Sequence, residues 1–139
     1  MNRLAESAIK SGRSLYNTLP VLAGVILLIG LINTLVPKSL YRSVFTGNEI
    51  LNSLIGSGLG SLMAGNPVTS YILGGEMLKQ GVGLMAVTSF IVAWVTVGMV
   101  QLPAESLLLG KRFAILRNLI CFIFSILVAG LTVMILGAM

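Results

Sequence analysis

Residues 50–80 read ILNSLIGSGLGSLMAGNPVTSYILGGEMLKQ, and the fold turns on how this stretch is taken. From Ile50 to Ala64 it is apolar yet rich in glycine and serine. As a helix that piece would reach only about 22 Å. Gly65, Asn66 and Pro67 interrupt it, and a second short run from Val68 to Leu78 carries Thr69, Ser70, Gly74, Gly75 and Glu76. Neither piece can cross a hydrocarbon core of about 30 Å alone. Two half-length helices around a polar Asn-Pro break predict a re-entrant hairpin with its tip near the membrane centre.

A membrane setting is what the composition predicts. Only 9% of the 139 residues are charged, 56% are hydrophobic and the mean hydropathy is +1.01. Soluble domains carry about 25% charged residues, and a chain this short has too little interior to hide so much apolar surface. There is no His and no Asp; the four acids are Glu6, Glu49, Glu76 and Glu105. A Ser-His-Asp triad, histidine metal sites and aspartate-based metal catalysis are therefore excluded. With no nucleophile–base pair either, the chain is not expected to be an enzyme or to carry a cofactor. The single Cys121 lies in an apolar run, which rules out an internal disulfide. The net charge of +5 comes from bases lying between apolar segments, which suits anchors at an anionic membrane surface rather than a nucleic-acid partner.

Around the hairpin the chain reads as an all-α integral membrane protein. Residues 1–18 place Leu4, Ala8, Ile9, Gly12, Leu15 and Tyr16 at helical spacing, with Arg3, Glu6, Lys10 and Arg13 largely off that stripe. This predicts an amphipathic interfacial helix rather than a cleaved signal. Asn17 or Thr18 is expected to cap a new helix with Pro20 in its first turn, so that residues 19–36 form the first full span. Residues 82–102 and 113–138 are the second and third. Arg117 and Asn118 fall in the first turns of the last, where an arginine can snorkel to the headgroups. Residues 19–139 thus form the membrane domain of a multi-pass protein of the cell (inner) membrane.

Positive charge supports the hairpin. If residues 50–80 return to the side they left, one face holds Arg3, Lys10, Arg13, Lys111, Arg112 and Arg117 against Lys38, Arg42 and Lys79 on the other. If they span once, the nine bases divide four to five and the bias vanishes. A short echo links LVPKSLYRSVF at 35–45 with QLPAESLLLGKRF at 101–113, compatible with an internal repeat.

The chemistry-bearing residues cluster on the break. Gly56, Gly60 and Ala64 recur every fourth residue and let helices approach closely, as membrane interfaces require. Asn66 and Pro67 form an N-cap and first-turn pair whose helix end, with the Thr69 and Ser70 hydroxyls, is the candidate substrate site. Glu76 is the candidate ion-coupling residue, or else an interfacial acid paired with Lys79 one turn on. Glu105 is the second coupling candidate, or an acid favouring a helix N-terminus. Trp94, near the middle of its span, either lines a cavity or fills core space.

The runs AGNPVTSYILGGEMLKQGVGLMAVTSFIVAWVTVGMVQLPAE and LGKRFAILRN resemble the predicted-permease family that includes the organoarsenical permeases. Typical members are larger and contain two related membrane halves; this chain is similar to one half over about residues 50–125. The resemblance implies transport and names no cargo. The break reads AGNPVTS, without the cysteine of arsenic-related members, so thiol-based handling of arsenic does not follow. A half-size permease would leave its broken backbone facing lipid, so a homodimer through the hairpin region is expected, either inverted or parallel. The expected function is transport of a small solute or ion; the alternative is a non-transporting scaffold or accessory subunit of a membrane complex.

Overall fold

The computed structural model describes residues 3–45, 47–63 and 65–139. Among these residues the chain is all helical: α1 Arg3–Leu35, α2 Lys38–Val44, α3 Glu49–Leu62, α4 Pro67–Lys79, α5 Leu84–Thr96, α6 Leu102–Leu109 and α7 Lys111–Ala138. Two of them, α1 and α7, are long and apolar enough to cross a membrane. The chain divides into two compact units, Met1–Val36 and Pro37–Met139.

In the first unit, α1 is one uninterrupted helix of 33 residues with Pro20 inside it. The boundary expected at Asn17–Pro20 is absent. Proline there forfeits one backbone hydrogen bond, and the helix on either side is long enough to absorb the loss. The Thr18 hydroxyl, rather than capping a new helix, donates to the Ser14 carbonyl one turn back at 2.9 Å.

The second unit is built on three short helices packed on one long one. Asn48 caps α3 by accepting the Ile50 N–H at 3.1 Å. Along α3 the residues Gly56 and Gly60 face α5 so closely that a Cβ on either would run into the Ala86 or the Phe90 carbonyl oxygen. The order of these contacts, 56 with 86 and 60 with 90, makes α3 and α5 parallel. From Lys79 the chain reverses through Gly81, whose φ of 91° only glycine adopts readily. This returns α4 antiparallel along α5, with Gly74 against Val87 and Ile91. The two arms of the expected hairpin therefore both lean on α5.

Helix α7 runs antiparallel to α5: Asn118 lies at Gly98 and Gly130 at Met85. It also meets α3, where the Ser57 and Ser125 hydroxyls bond at 2.8 Å. Ser89 donates to the carbonyl oxygens of Ser53 at 2.9 Å and Ala86 at 2.8 Å. The interior combines Val87, Phe90 and Trp94 of α5 with many small and polar residues. Ser53, Ser57, Ser70, Ser89 and Ser125 are fully buried beside Ala86, Ala93, Ala114 and Ala129. Most other large apolar side chains lie outside, including Leu119, Ile123, Phe124, Leu127 and Leu131 of α7.

The span expected over 82–102 is divided. Helix α5 stops at Thr96, residues 97–101 are non-helical, and α6 begins at Leu102 with Pro103 in its first turn. Pro103 cannot donate back to Met99, and Gly98 disfavours helix, so the apolar run carries its own breakers. Helix α5 alone is 13 residues, about 20 Å.

Replacing Gly60 with Val should separate α3 from α5 and cost at least about 1–3 kcal/mol of overpacking. Gly58→Val, where a Cβ meets open space, should leave the thermal midpoint in detergent within a few degrees of the parent. Equal midpoints for the two variants would contradict the parallel α3–α5 contact.

Candidate functional site

Two helix breaks meet in this fold. Because α3 and α5 run parallel, with Gly60 at Phe90, α3 ends about one turn before α5, and the chain leaves the helix after each. Between them lies a cavity of about 100 Å³ lined by Met63, Gly65, Pro67, Trp94, Val95, Val97, Gly98, Val100 and Gln101.

The first break is built locally. Asn66 takes an extended conformation and its side chain accepts the Val68 N–H at 2.9 Å, capping α4, with Pro67 as the first helical residue. The Asn66 carbonyl accepts the Thr69 N–H at 3.0 Å. The second break is held from a distance. Asn118 Oδ1 on α7 accepts the Gly98 N–H at 2.8 Å, and Asn118 Nδ2 donates to the Ala114 carbonyl at 2.9 Å. The same amide nitrogen reaches Glu105 at 3.4 Å, and Glu105 pairs with Arg117 at 2.8 Å. Glu105 is mostly buried and Arg117 about two-thirds buried, so this ion pair sits within the helix packing.

The wall between the breaks is Trp94. It is 7% exposed, stands edge-on to Phe90 at 5.5 Å, and turns its indole N–H to the Gly65 carbonyl at 3.5 Å. Trp94 therefore both lines the cavity and fills core space.

The expected site residues separate into groups. Pro67 lines the cavity, and Asn66 shapes its edge as the cap. Thr69 is half-buried in the first turn of α4, where its N–H bonds Asn66. Ser70 is fully buried and spends its hydroxyl on the Pro67 carbonyl at 2.6 Å. Glu76 is not brought to the break: it lies ten positions beyond Asn66 on α4, about 15 Å along the axis. There it pairs with Lys79 at 3.6 Å and accepts from Gln80 at 3.1 Å. Glu105 is joined to the second break through Asn118. Gly56 and Gly60 lie at the α3–α5 contact, and Ala64 falls outside the described residues. Gln101, Gly98 and Asn118 enter the site without having been singled out for it. The signal for the first two was Gly98 and Pro103 five residues apart in one apolar run. No group of three or more metal-ligating side chains occurs among the described residues.

Comparison of the chain with protein-family models, curated proteins and solved structures found no match.

Disconnecting Glu105 from Arg117 should loosen the second break. Glu105→Gln, Arg117→Leu and the double variant should give a coupling of about 1–3 kcal/mol in a double-mutant cycle of detergent unfolding. Additive effects would mean that the pair does not hold α6 to α7.

Proposed function

We propose that this chain is a multi-pass membrane permease for a small solute or ion, acting at the cavity between the Asn66–Pro67 and Val97–Gln101 breaks. The observation that carries the reading is the convergence of two non-helical segments on one cavity of a helical bundle. Non-helical backbone inside a membrane is tolerated where it lines a cavity or is covered by protein, and paired breaks are how many secondary transporters make a binding site. Many small and hydroxyl-bearing residues inside, with most of the leucines, isoleucines and methionines exposed, favour lipid as the surrounding solvent.

In this reading α3 and α4 form a re-entrant hairpin, α5 and α6 are the two halves of one discontinuous span, and α1 and α7 cross fully. Substrate lies against Pro67, Trp94 and Gln101, beside the Asn66 cap. Glu105, tied through Arg117 and Asn118 to the moving break, is better placed than Glu76 to couple ion movement to a change of shape. The tips of the two breaks are exposed in a single copy. A second copy placed over them supplies the cover that lipid cannot, which makes the working unit a homodimer in the cell (inner) membrane. The resemblance of AGNPVTSYILGGEML and QLPAE to the predicted permeases points the same way.

Single cysteines at Ser39, Lys79 and Leu108, in a Cys121→Ser background in intact cells, test the topology. Labelling of Ser39 and Lys79 from one side and Leu108 from the other is expected for a fixed orientation. Half-labelling of every site from each side marks inverted pairs, whereas Ser39 and Lys79 on opposite sides would remove the hairpin. Transport is tested in proteoliposomes with gradients of sodium, potassium, chloride and phosphate and a panel of small organic acids and amines. Flux above protein-free vesicles, reduced at least fivefold by Asn66→Ala, is expected. No flux for any solute, with Asn66→Ala tolerated in cells, would leave a scaffold or accessory subunit.

A further inference from the structure

We propose that a groove between the second break and α7 holds an acyl chain of an anionic phospholipid, whose phosphate lies against Lys111 and Arg112. The proposal goes beyond the permease reading. It needs α7 in a bilayer, and it stands whether or not the chain transports a solute.

The groove is a second cavity, of about 320 Å³, within the size range of sites for small organic molecules. Val97, Met99 and Leu102 form one wall, and Ile115, Leu119 and Phe122 of α7 form the other. Its two polar lining residues, Ser61 and Asn118, have already committed their donors. Ser61 donates its hydroxyl to the Gly58 carbonyl at 2.7 Å. Asn118 spends its amide nitrogen on Ala114 and Glu105 and its oxygen on the Gly98 N–H. The backbone of the break is paired beside it, where the Gly98 carbonyl accepts the Gln101 N–H at 3.1 Å. A polar solute would give up its water here for few partners, which is costly. A hydrocarbon chain has no such loss and gains by leaving water.

Register along α7 supplies the other half of the site. Residues 111, 115, 118 and 122 follow one another at spacings of four, three and four, so they share one face of the helix. Lys111 therefore stands at the end of the stripe that walls the groove, with Arg112 next to it, and both are exposed. Along the axis, Ile115 lies about 6 Å and Phe122 about 16 Å from Lys111. With Lys111 at the headgroups of a bilayer whose core is about 30 Å thick, the groove occupies one leaflet and ends near the midplane. Charge first and apolar trough below it is the layout of a single lipid, head and then tail. No acid lies in the first turn of α7 to answer the two bases.

Charge selects the occupant. A second copy of this chain carries a net charge of +5, and two of its four acids, Glu76 and Glu105, are held in ion pairs. It has little to set against Lys111 and Arg112. An anionic headgroup brings the missing negative charge, as basic clusters at membrane surfaces require, whereas a zwitterionic one brings an equal positive charge with it. Because Val97 and Met99 belong to the break itself, the bound tail braces the break, and its loss is read as a fall in stability.

The test uses the purified, delipidated protein in a non-ionic detergent. Phosphatidylglycerol and phosphatidylcholine with identical acyl chains are added in turn, the thermal midpoint is followed, and retained lipid is counted by native mass spectrometry. A saturable rise with phosphatidylglycerol, one lipid retained per chain and an apparent affinity for phosphatidylcholine at least fivefold weaker are expected. Lys111→Gln with Arg112→Gln should abolish that preference. Lys38→Gln with Arg42→Gln removes the same charge at the other end of α5, where Arg42 lies by Val82, and should preserve it. Leu119→Trp, which fills the groove from a half-exposed position, should weaken both lipids at least fivefold. Glycerol phosphate, a headgroup without a tail, should leave the midpoint unchanged. Equal affinity for the two lipids, equal losses from the two pairs of basic residues, or a rise with glycerol phosphate alone overturns the proposal. A midpoint that climbs with protein concentration and ignores lipid also overturns it, and marks a second copy in the groove.

Discussion

The close approach of α3 and α5 governs the rest of the structure. At Gly56 and Gly60 the facing backbone leaves no space for a side-chain carbon, so the separation of these helices is set by main chain against main chain. That contact fixes the two helices in parallel and in register. Register then brings the end of α3 beside the last turn of α5. Helix α4 has one strip of α5 left to return along, and α7 closes the remaining side through Ser57 and Ser125. Bulk at either glycine would displace both breaks from each other, though neither glycine touches the cavity.

The second constraint is the hydrogen-bond account of the break between α5 and α6. A helical run that stops inside packed protein must find partners for its freed backbone groups. Asn118 answers this by standing in for a helical carbonyl, accepting the Gly98 N–H while its own nitrogen is tied to Ala114. The ion pair of Glu105 and Arg117 lies beside it. The shape of this break therefore depends on where α7 packs, since its anchor is a side chain of that helix. The Asn66 break differs: its partners lie within three residues, so α4 keeps its cap however its neighbours move.

This contrast explains what could be read from the residues in advance. Asn66 and Pro67 were legible as a cap and first turn because that chemistry is local. The Gly56 and Gly60 spacing was legible as a packing row, and Glu76 as a residue that Lys79 can reach one turn away. The break at 97–101 was missed: VTVGMVQL reads as one apolar span in spite of Gly98 and Pro103, and its decisive partner, Asn118, is twenty positions beyond Gly98. The partner of Arg117 was hidden for the same reason, since only the folded chain brings Glu105 to it. Pro20 was overread, because a proline far from either end of a 33-residue helix removes one bond without ending it. The chemistry of the site followed the same division. The acids could be counted from the chain, but which one stands by a break depended on contacts between helices.

Trp94 is the chain's only tryptophan, and it forms the wall shared by both breaks. An indole buried against Phe90 and turned toward the Gly65 carbonyl emits according to the polarity and water content of that one spot. The molecule thus carries a single intrinsic fluorophore at the place where its two interrupted helices meet. Wetting, closure or filling of the cavity shifts that emission with no competing signal from other tryptophans, making the protein its own optical reporter of the state of its centre.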